Sequence, residues 1–146
     1  ALTINSDAST TLASYQTIKS LIETATITAS APSSTTNFDV ITQAVQYYTS
    51  NTANNWTLNI RGSSGTSLNT LMSTGQSVTI TMIVTNSSTA YYQSALQIDG
   101  SSVTPKWQGG TAPSSGNASA LDVYTYAIVK TGSATFTVFA SQTKFA

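Results

Sequence analysis

The feature that most constrains the fold of this chain is a series of short segments in which apolar and polar residues alternate. The clearest are residues 56–61 (WTLNIR), 76–85 (QSVTITMIVT) and 121–129 (LDVYTYAIV). A period of two places every second side chain on the same face of a β-strand. With residues 90–98 and 134–140, such segments recur about every ten residues, the spacing typical of an all-β sandwich or jelly roll.

The first thirty residues have a different pattern. Apolar residues recur every three to four positions in residues 9–23, which favours a short helix, and residues 21–29 (LIETATITA) alternate as a strand does. The sequence Ala-Pro-Ser-Ser at 31–34 then breaks regular structure. We therefore expect an N-terminal arm or stalk over 1–30 and a β-sandwich module over 31–146.

Two stretches inside the module need separate interpretation. Residues 38–48 fit both a helix and a strand, and Tyr and Thr at the end of the stretch favour a strand at 44–49. Residues 67–72 (SLNTLM) predict one helical turn. Its apolar side chains, Leu68, Leu71 and Met72, would cover one end of the core.

Composition excludes several functions. The chain has no Cys and no His, five basic residues and five acidic residues. Five dispersed cations are too few to neutralise a nucleic-acid backbone, and no apolar run reaches the roughly 18–20 residues that a transmembrane helix needs. With this little charge, solubility depends on Ser, Thr and Asn, which is typical of an extracellular or virion-surface β protein. Ala1 in place of Met indicates a processed chain or a fragment.

Catalytic chemistry has little support in the sequence. Without His, no Ser has its usual general base, and no Lys lies in a motif that would replace it. The acids are far apart in the chain: Asp7, Glu23, Asp39, Asp99 and Asp122. Folding could still bring two of these carboxylates together, as in a glycosidase. No group of them has the sequence spacing of calcium ligands. We therefore predict no catalytic residue, no cofactor and no metal site.

Aromatic residues are the candidates for contact with a partner. Tyr91 and Tyr92 are adjacent on a strand and so face opposite ways, one toward the core and one toward solvent or an interface. Asn117 lies in a polar loop of the kind that contacts ligands. These three residues are our candidate surface contacts, while Trp107 is interpreted as a packed anchor in preference to a ligand platform.

The stretch from residue 98 to residue 129 contains a set of residues with structural roles. Asp99 and Gly100 form a two-residue turn that suits a tight hairpin, since Gly tolerates positive φ. Gly109, Gly110 and Pro113 force the chain to turn away after Trp107, and Asp122 opens the next strand. The complete structural motif is Asp99, Gly100, Trp107, Gly109, Gly110, Pro113 and Asp122.

These residues carry a resemblance. The run SSVTPKWQGGTAP followed by LDVYTYAIVKTGSATFTVFASQTKF resembles the C-terminal β-sandwich module of bacteriophage fibre and other virion structural proteins. Upstream, residues 37–72 are similar to forms common in phages of marine cyanobacteria, so the resemblance covers residues 37–146. The matching positions of the family motif are Lys106, Trp107, Gly109, Gly110, Ala112, Pro113, Asp122, Val123, Thr125 and Tyr126.

The resemblance implies a fold and a role. The fold would be an antiparallel β-sandwich of jelly-roll type with a short N-terminal arm, assembled as a homo-oligomer, most simply a trimer. The role would be that of a non-enzymatic structural protein on the virion surface, a fibre tip or decoration subunit that binds other virion proteins or a host-surface glycan. The alternatives are a self-assembling extracellular filament subunit and, with less support, a glycan-cleaving tailspike domain.

Overall fold

The computed structural model describes the backbone of residues 2–4, 10–12, 17 and 19–146, and the side chains of residue 17 and of residues 19–146. Strands β1 (Leu2–Ile4) and β2 (Thr10–Leu12) pair antiparallel in a sheet of their own. Ten further strands form a six-stranded and a four-stranded sheet. The all-β, two-sheet class expected from the sequence is therefore confirmed.

Most neighbouring strands in the two large sheets are not consecutive in the chain. The six-stranded sheet has the order β10 (Lys106–Trp107), β12 (Thr135–Phe145), β11 (Leu121–Gly132), β7 (Ser77–Thr85), β5 (Val45–Asn51) and β3 (Ala25–Thr28). The four-stranded sheet has the order β4 (Thr35–Asp39), β6 (Trp56–Arg61), β8 (Gln93–Ile98) and β9 (Ser101–Val103).

From β3 to β8 the chain alternates between the two sheets. Strands β3, β5 and β7 lie side by side in the six-stranded sheet and are parallel, and β4, β6 and β8 do the same in the four-stranded sheet. Each pair of successive strands forms one coil around the core: β3 with β4, β5 with β6, and β7 with β8. The long hairpin of β11 and β12 then pairs antiparallel with β7.

This winding corrects one part of the prediction. We expected antiparallel sheets, but both are mixed, and jelly-roll connectivity is not confirmed. Alternation shows which residues share a face and carries no information on strand direction. The connections of four to seven residues between most of the crossing strands can span the roughly 10 Å between two packed sheets as easily as they can close a hairpin.

The core lies between the inward faces of the two sheets. Trp56 of β6 meets Tyr124 of β11 edge to face, with ring centroids 5.8 Å apart. On β7 the alternation predicts that Val78, Ile80, Met82 and Val84 face inward; the last three are buried, and Val78 is partly buried against the core. The other fully buried large side chains are Phe38, Leu58, Ile60, Leu68, Tyr126, Ile128 and Val138. Burying them supplies the main stabilisation of a sandwich.

Most predicted elements are present with shifted ends. The strand at 44–49 is confirmed as β5, and the last two strands extend to Gly132 and Phe145. The strand expected over 90–98 begins only at Gln93, because Ala90 and Tyr92 are hydrogen-bonded to two other loops, at Gly116 and Asn55. The Asp99-Gly100 turn joins β8 to β9 with φ values of 50° and 79°.

The N-terminal region differs from the prediction. Within the described part of residues 9–23, Thr10–Leu12 is a strand and residues 19–23 are not helical. Short Ser- and Thr-rich segments form weak helices because β-branched side chains lose rotamer freedom there. The strand expected over 21–29 is shorter, and as β3 it is hydrogen-bonded to β5 of the sandwich. The predicted boundary after residue 30 stays a prediction.

One helical turn, α1 (Leu68–Leu71), covers the end of the core at which β6 ends and β7 begins. Leu68 and Met72 are buried as predicted, whereas Leu71 is 43% exposed. The carboxylate of Asp99 accepts the N–H groups of Leu68 at 2.7 Å and Asn69 at 2.9 Å. These are backbone donors that the first turn of a helix leaves without partners.

At the other end of α1, the buried Lys130 donates from Nζ to the carbonyls of Asn69 at 2.6 Å and Met72 at 2.7 Å. An ammonium group buried this far needs such acceptors. Asp99 from a turn and Lys130 from a distant strand therefore hold α1 over the core from both ends.

We expect Lys130→Met to lower the free energy of unfolding by about 1–3 kcal/mol, because it leaves two carbonyls near the protein interior without a donor. Urea unfolding measures this loss. Lys106→Met is the matched control, since Lys106 is exposed on β10. Equal stability of the two variants would show that the α1 contact contributes nothing.

Candidate binding surface at the loop end

Three loops meet at the end of the sandwich opposite α1. They are residues 52–55, 86–92 and 111–120, and we call this surface the loop end. They meet because the parallel strands β5 and β7 both end on this side of the sandwich, and the antiparallel strand β11 begins there. Backbone hydrogen bonds join the second and third loops: Ser119 N to Ser87 O at 2.7 Å, and Gly116 N to Ala90 O at 3.0 Å.

The side chain of Asp122 lies beneath these loops and is 0% exposed. Its Oδ2 accepts from Asn86 Nδ2 at 2.8 Å and from the N–H of Asn117 at 2.9 Å. Asn86 in turn accepts at Oδ1 from the hydroxyl of Thr52. Since these partners come from all three loops, one carboxylate connects the whole surface.

Burial sets the electrostatics of this carboxylate. Desolvation raises the pKa of Asp122, although the Asn117 N–H and the positive charge of Lys144 act in the opposite direction. Its second oxygen, Oδ1, is buried and has no hydrogen-bond partner in the structure. The ionised form is therefore disfavoured relative to an aspartate in water.

A second set of polar contacts lies beside Asp122, below the third loop. Tyr124 Oη accepts from the N–H of Gln93 at 3.3 Å and from Gln142 Nε2 at 3.1 Å. Gln142 Nε2 also lies 3.1 Å from the carbonyl of Ser115, which attaches the loop to β12. Burial raises the pKa of both Tyr124 and Tyr126, so both stay neutral donors and acceptors.

Gly116 is the point at which the loops approach most closely. A Cβ atom there would overlap the carbonyl oxygen of Tyr91 and would lie 2.6 Å from Asn86 Nδ2 and 2.7 Å from Asp122 Oδ2. Only a residue without a side chain fits between these groups. The glycine therefore permits the hydrogen bonds that Asp122 forms.

The structure brings the predicted surface contacts Tyr91, Tyr92 and Asn117 to the loop end, where all three are half-buried. Tyr91 packs against the core cluster, and the N–H of Tyr92 donates to Asn55 Oδ1 at 3.0 Å. Asn117 Nδ2 donates to the carbonyl of Phe145 at 2.9 Å. Their backbones and amides therefore also position the loops.

Sequence reasoning missed the residues that hold the loops together. Thr52, Asn86 and Gly116 lie in polar segments that match no motif for catalysis or metal binding, and the sequence pattern indicates Asp122 only as the start of a strand. One signal was available: Asp122 stands at an inward position of an alternating strand, where a charged residue is unusual unless polar groups from elsewhere surround it.

Trp107 lies at a side of the sandwich, just before the third loop of the loop end. Its half-buried ring meets Tyr126 at a centroid distance of 6.4 Å and an interplanar angle of 67°. With Pro113 it borders a cleft of about 320 Å³ between the edge strands β9 and β10. Gly109 and Gly110 adopt φ of 76° and 79°, as the predicted change of direction requires.

Ionisable side chains in the described part of the chain mostly have structural partners. Asp39 and Arg61 form an ion pair at 2.6 Å, and Asp99 and Lys130 bind α1. Among the described residues there is no group of three or more acidic, His or Cys side chains that could hold a metal ion. The helices described here are also too short and polar to span a bilayer.

Comparison of the chain with family models, with curated proteins and with solved structures gave no match. The interpretation of the loop end therefore depends on its own geometry and composition.

We expect Gly116→Ala to lower the free energy of unfolding by about 1–3 kcal/mol, the usual result of forcing a methyl group into a packed site. Chemical denaturation measures the change. Ser114→Ala, at an exposed position of the same loop, should stay within about 0.5 kcal/mol of the parent chain. A Gly116→Ala chain as stable as its parent would contradict the packing described above.

The raised pKa of Asp122 predicts a specific pH dependence. Between the ordinary aspartate pKa of about 3.9 and the raised value, the folded state binds more protons than the unfolded state. The contribution of Asp122 to stability is therefore largest below this interval and falls as pH rises through it.

Asp122→Asn removes the titration while its side-chain oxygen can still accept from Asn86 and Asn117. The difference in unfolding free energy between Asp122→Asn and the parent should shift in favour of the variant as pH rises from about 3 to about 7. Urea titrations across this range measure it. A difference that does not change with pH would contradict the assigned cause.

Proposed function

We propose that the chain is a non-enzymatic structural module of a virion surface, a fibre tip or decoration subunit whose loop end binds a host-surface glycan or another virion protein. The observation that carries this proposal is the chemistry of the loop end. Its three segments, TANN, NSSTAYY and TAPSSGNASA, contain no charged residue. Hydroxyl, amide and Tyr side chains suit a neutral, hydroxyl-rich ligand such as a saccharide.

The rigidity of the loop end supports a binding role. Its loops are joined by backbone hydrogen bonds and held from below by Asp122, so that little order has to be gained on binding. A preorganised surface binds more tightly for the same contacts. Several copies on one particle would add avidity to individually weak contacts.

The direction of the chain supports display of the same surface. The segment that leads into β3 arrives at the α1 end, where the Thr24 carbonyl accepts from the N–H groups of Ala44 and Val45. A module anchored through its N-terminal arm would therefore present the loop end away from the anchor. Homo-oligomeric assembly, most simply as a trimer, would place several loop ends side by side.

Catalysis has no comparable support. Asp39, Asp99 and Asp122 are the three acids within the strands and turns of the sandwich, and each has a structural partner. A glycan-cleaving domain needs a carboxylate pair available to substrate. This use of the acids supports the proposal of a non-enzymatic module.

The test compares one substitution at the two ends of the sandwich. Thr89 at the loop end and Thr74 near α1 are both exposed, so Arg can be placed at either position without entering the core. Thr89→Arg should weaken binding to host cells or to an arrayed glycan by about tenfold or more, because a bulky cation blocks a neutral surface. Thr74→Arg should bind as the parent chain does.

Both variants should show the parent's thermal unfolding midpoint, which separates lost binding from lost folding. Equal binding by the two variants would remove the loop end as the contact surface. The adhesion proposal also fails if the parent chain binds neither host surfaces nor any other virion protein.

A further inference from the structure

The edges of the two sheets differ between the two sides of the sandwich. On one side, β10 has two residues and is followed by Gly109 and Gly110, and β9 has three residues and ends near Pro105. Short strands, glycine turns and proline are devices that prevent another strand from adding to an edge. On the opposite side lie β3 and β4, the first coil, with four and five residues. Their sequences, ATIT and TTNFD, contain no Pro, Gly or Lys.

The free edge of β3 can be assigned residue by residue. The carbonyl of Thr24 accepts from β5, and alternate residues of a strand direct their backbone groups to opposite edges. Thr26 and Thr28 therefore face β5, whereas Ala25 and Ile27 direct their N–H and C=O groups to the free edge. Within the described residues, no strand pairs with β3 on that side.

Exposed apolar side chains cluster around this edge. Leu21 is 71% exposed, Ile22 is 93% exposed and Ile27 is 69% exposed. Ile41, which follows β4, is 56% exposed. Four of the seven large apolar side chains that the described part of the chain exposes thus belong to the first coil and its approach. Such a concentration marks a surface that is covered in the assembled state.

The arm contains the complementary element. Among the residues that the structure describes, strands β1 and β2 form a two-stranded sheet that pairs with neither sheet of the sandwich. Two strands alone are marginally stable in water and gain stability when a further strand joins them. The chain therefore has an incomplete sheet at its start and an open sheet edge in its sandwich.

We propose that the β1–β2 arm of one copy adds to the free edge of β3 in a second copy and continues the six-stranded sheet across the subunit boundary. Backbone hydrogen bonds of strand addition would supply affinity, and burial of Leu21, Ile22 and Ile27 would add to it. Donor and acceptor are different surfaces, so the contact is head to tail and can close into a ring. This inference rests on the self-association proposed above and names the surface that produces it.

Two full-length variants isolate the two halves of the contact. Ile27→Pro removes the N–H at the free edge, while the groups that bind β5 belong to its neighbours. Thr3→Pro combined with Thr11→Pro removes the central N–H groups of β1 and β2 and so blocks the donor arm. Ile27→Thr is the matched control, because it keeps the N–H and a β-branched side chain at the same position.

Light scattering at micromolar concentration reports the mass of each chain and of their mixture. The parent and Ile27→Thr should have the mass of several chains, and each Pro variant alone should be monomeric. Mixed together, the arm-blocked and edge-blocked variants should form a 1:1 dimer and stop there, because only one donor and one acceptor remain functional. Parental circular dichroism and unfolding of each variant confirm that it is folded.

The other outcomes overturn the inference in distinguishable ways. If either Pro variant remains oligomeric, the chain self-associates through a different surface and the proposed oligomer survives without this contact. A monomeric parent chain contradicts the proposed self-association, and it is the result expected if the arm instead covers the β3 edge of its own subunit. Binding by the loop end is measured separately with Thr89→Arg, so it can stand or fall independently.

Discussion

The loop end depends on the hydrogen bonds of one buried carboxylate. Asp122 accepts from Asn86 and Asn117, and Asn86 accepts from Thr52, so residues far apart in the chain meet at a single group. Burying a carboxylate is unfavourable unless polar groups surround it, and the raised pKa of Asp122 records part of that penalty. The penalty is tolerated because the same contacts fix three loops that have few large apolar side chains with which to pack.

Two other charged residues of the sandwich also hold polar groups of the chain in place. Asp99 and Lys130 come from a turn and a distant strand, and each binds backbone groups at one end of α1. Polar backbone at both ends of the sandwich is thereby satisfied by buried or half-buried charges, while the strands are stabilised by alternating Thr and aliphatic residues. A chain with five acids and five bases has few left for its surface. Neutral surfaces of identical copies do not repel one another, which favours association.

Local patterns predicted most strands, the Asp99-Gly100 turn and the helical turn at Leu68, because each depends on residues close in sequence. Strand direction and partner were not predictable, since the faces of a strand read the same whether its neighbour is parallel or antiparallel. For the site, the sequence placed Tyr91, Tyr92 and Asn117 at a surface but gave no sign that Asn86 and Thr52 meet Asp122. Such contacts arise from the crossing of the chain between sheets, which links residues more than thirty positions apart.

The same crossing gives the module a direction. Because parallel strands in each sheet start at one end and finish at the other, the loops of successive coils separate into two sets, one with α1 and one at the loop end. Exposed residues of the loop end can then be replaced without altering the strands that form the core. The constraint falls on Asn86, Gly116 and Asp122, whose geometry must be kept for the loops to stay together. For the binding role proposed above, a few fixed polar anchors would hold the scaffold while the many exposed hydroxyl-bearing positions make the contacts.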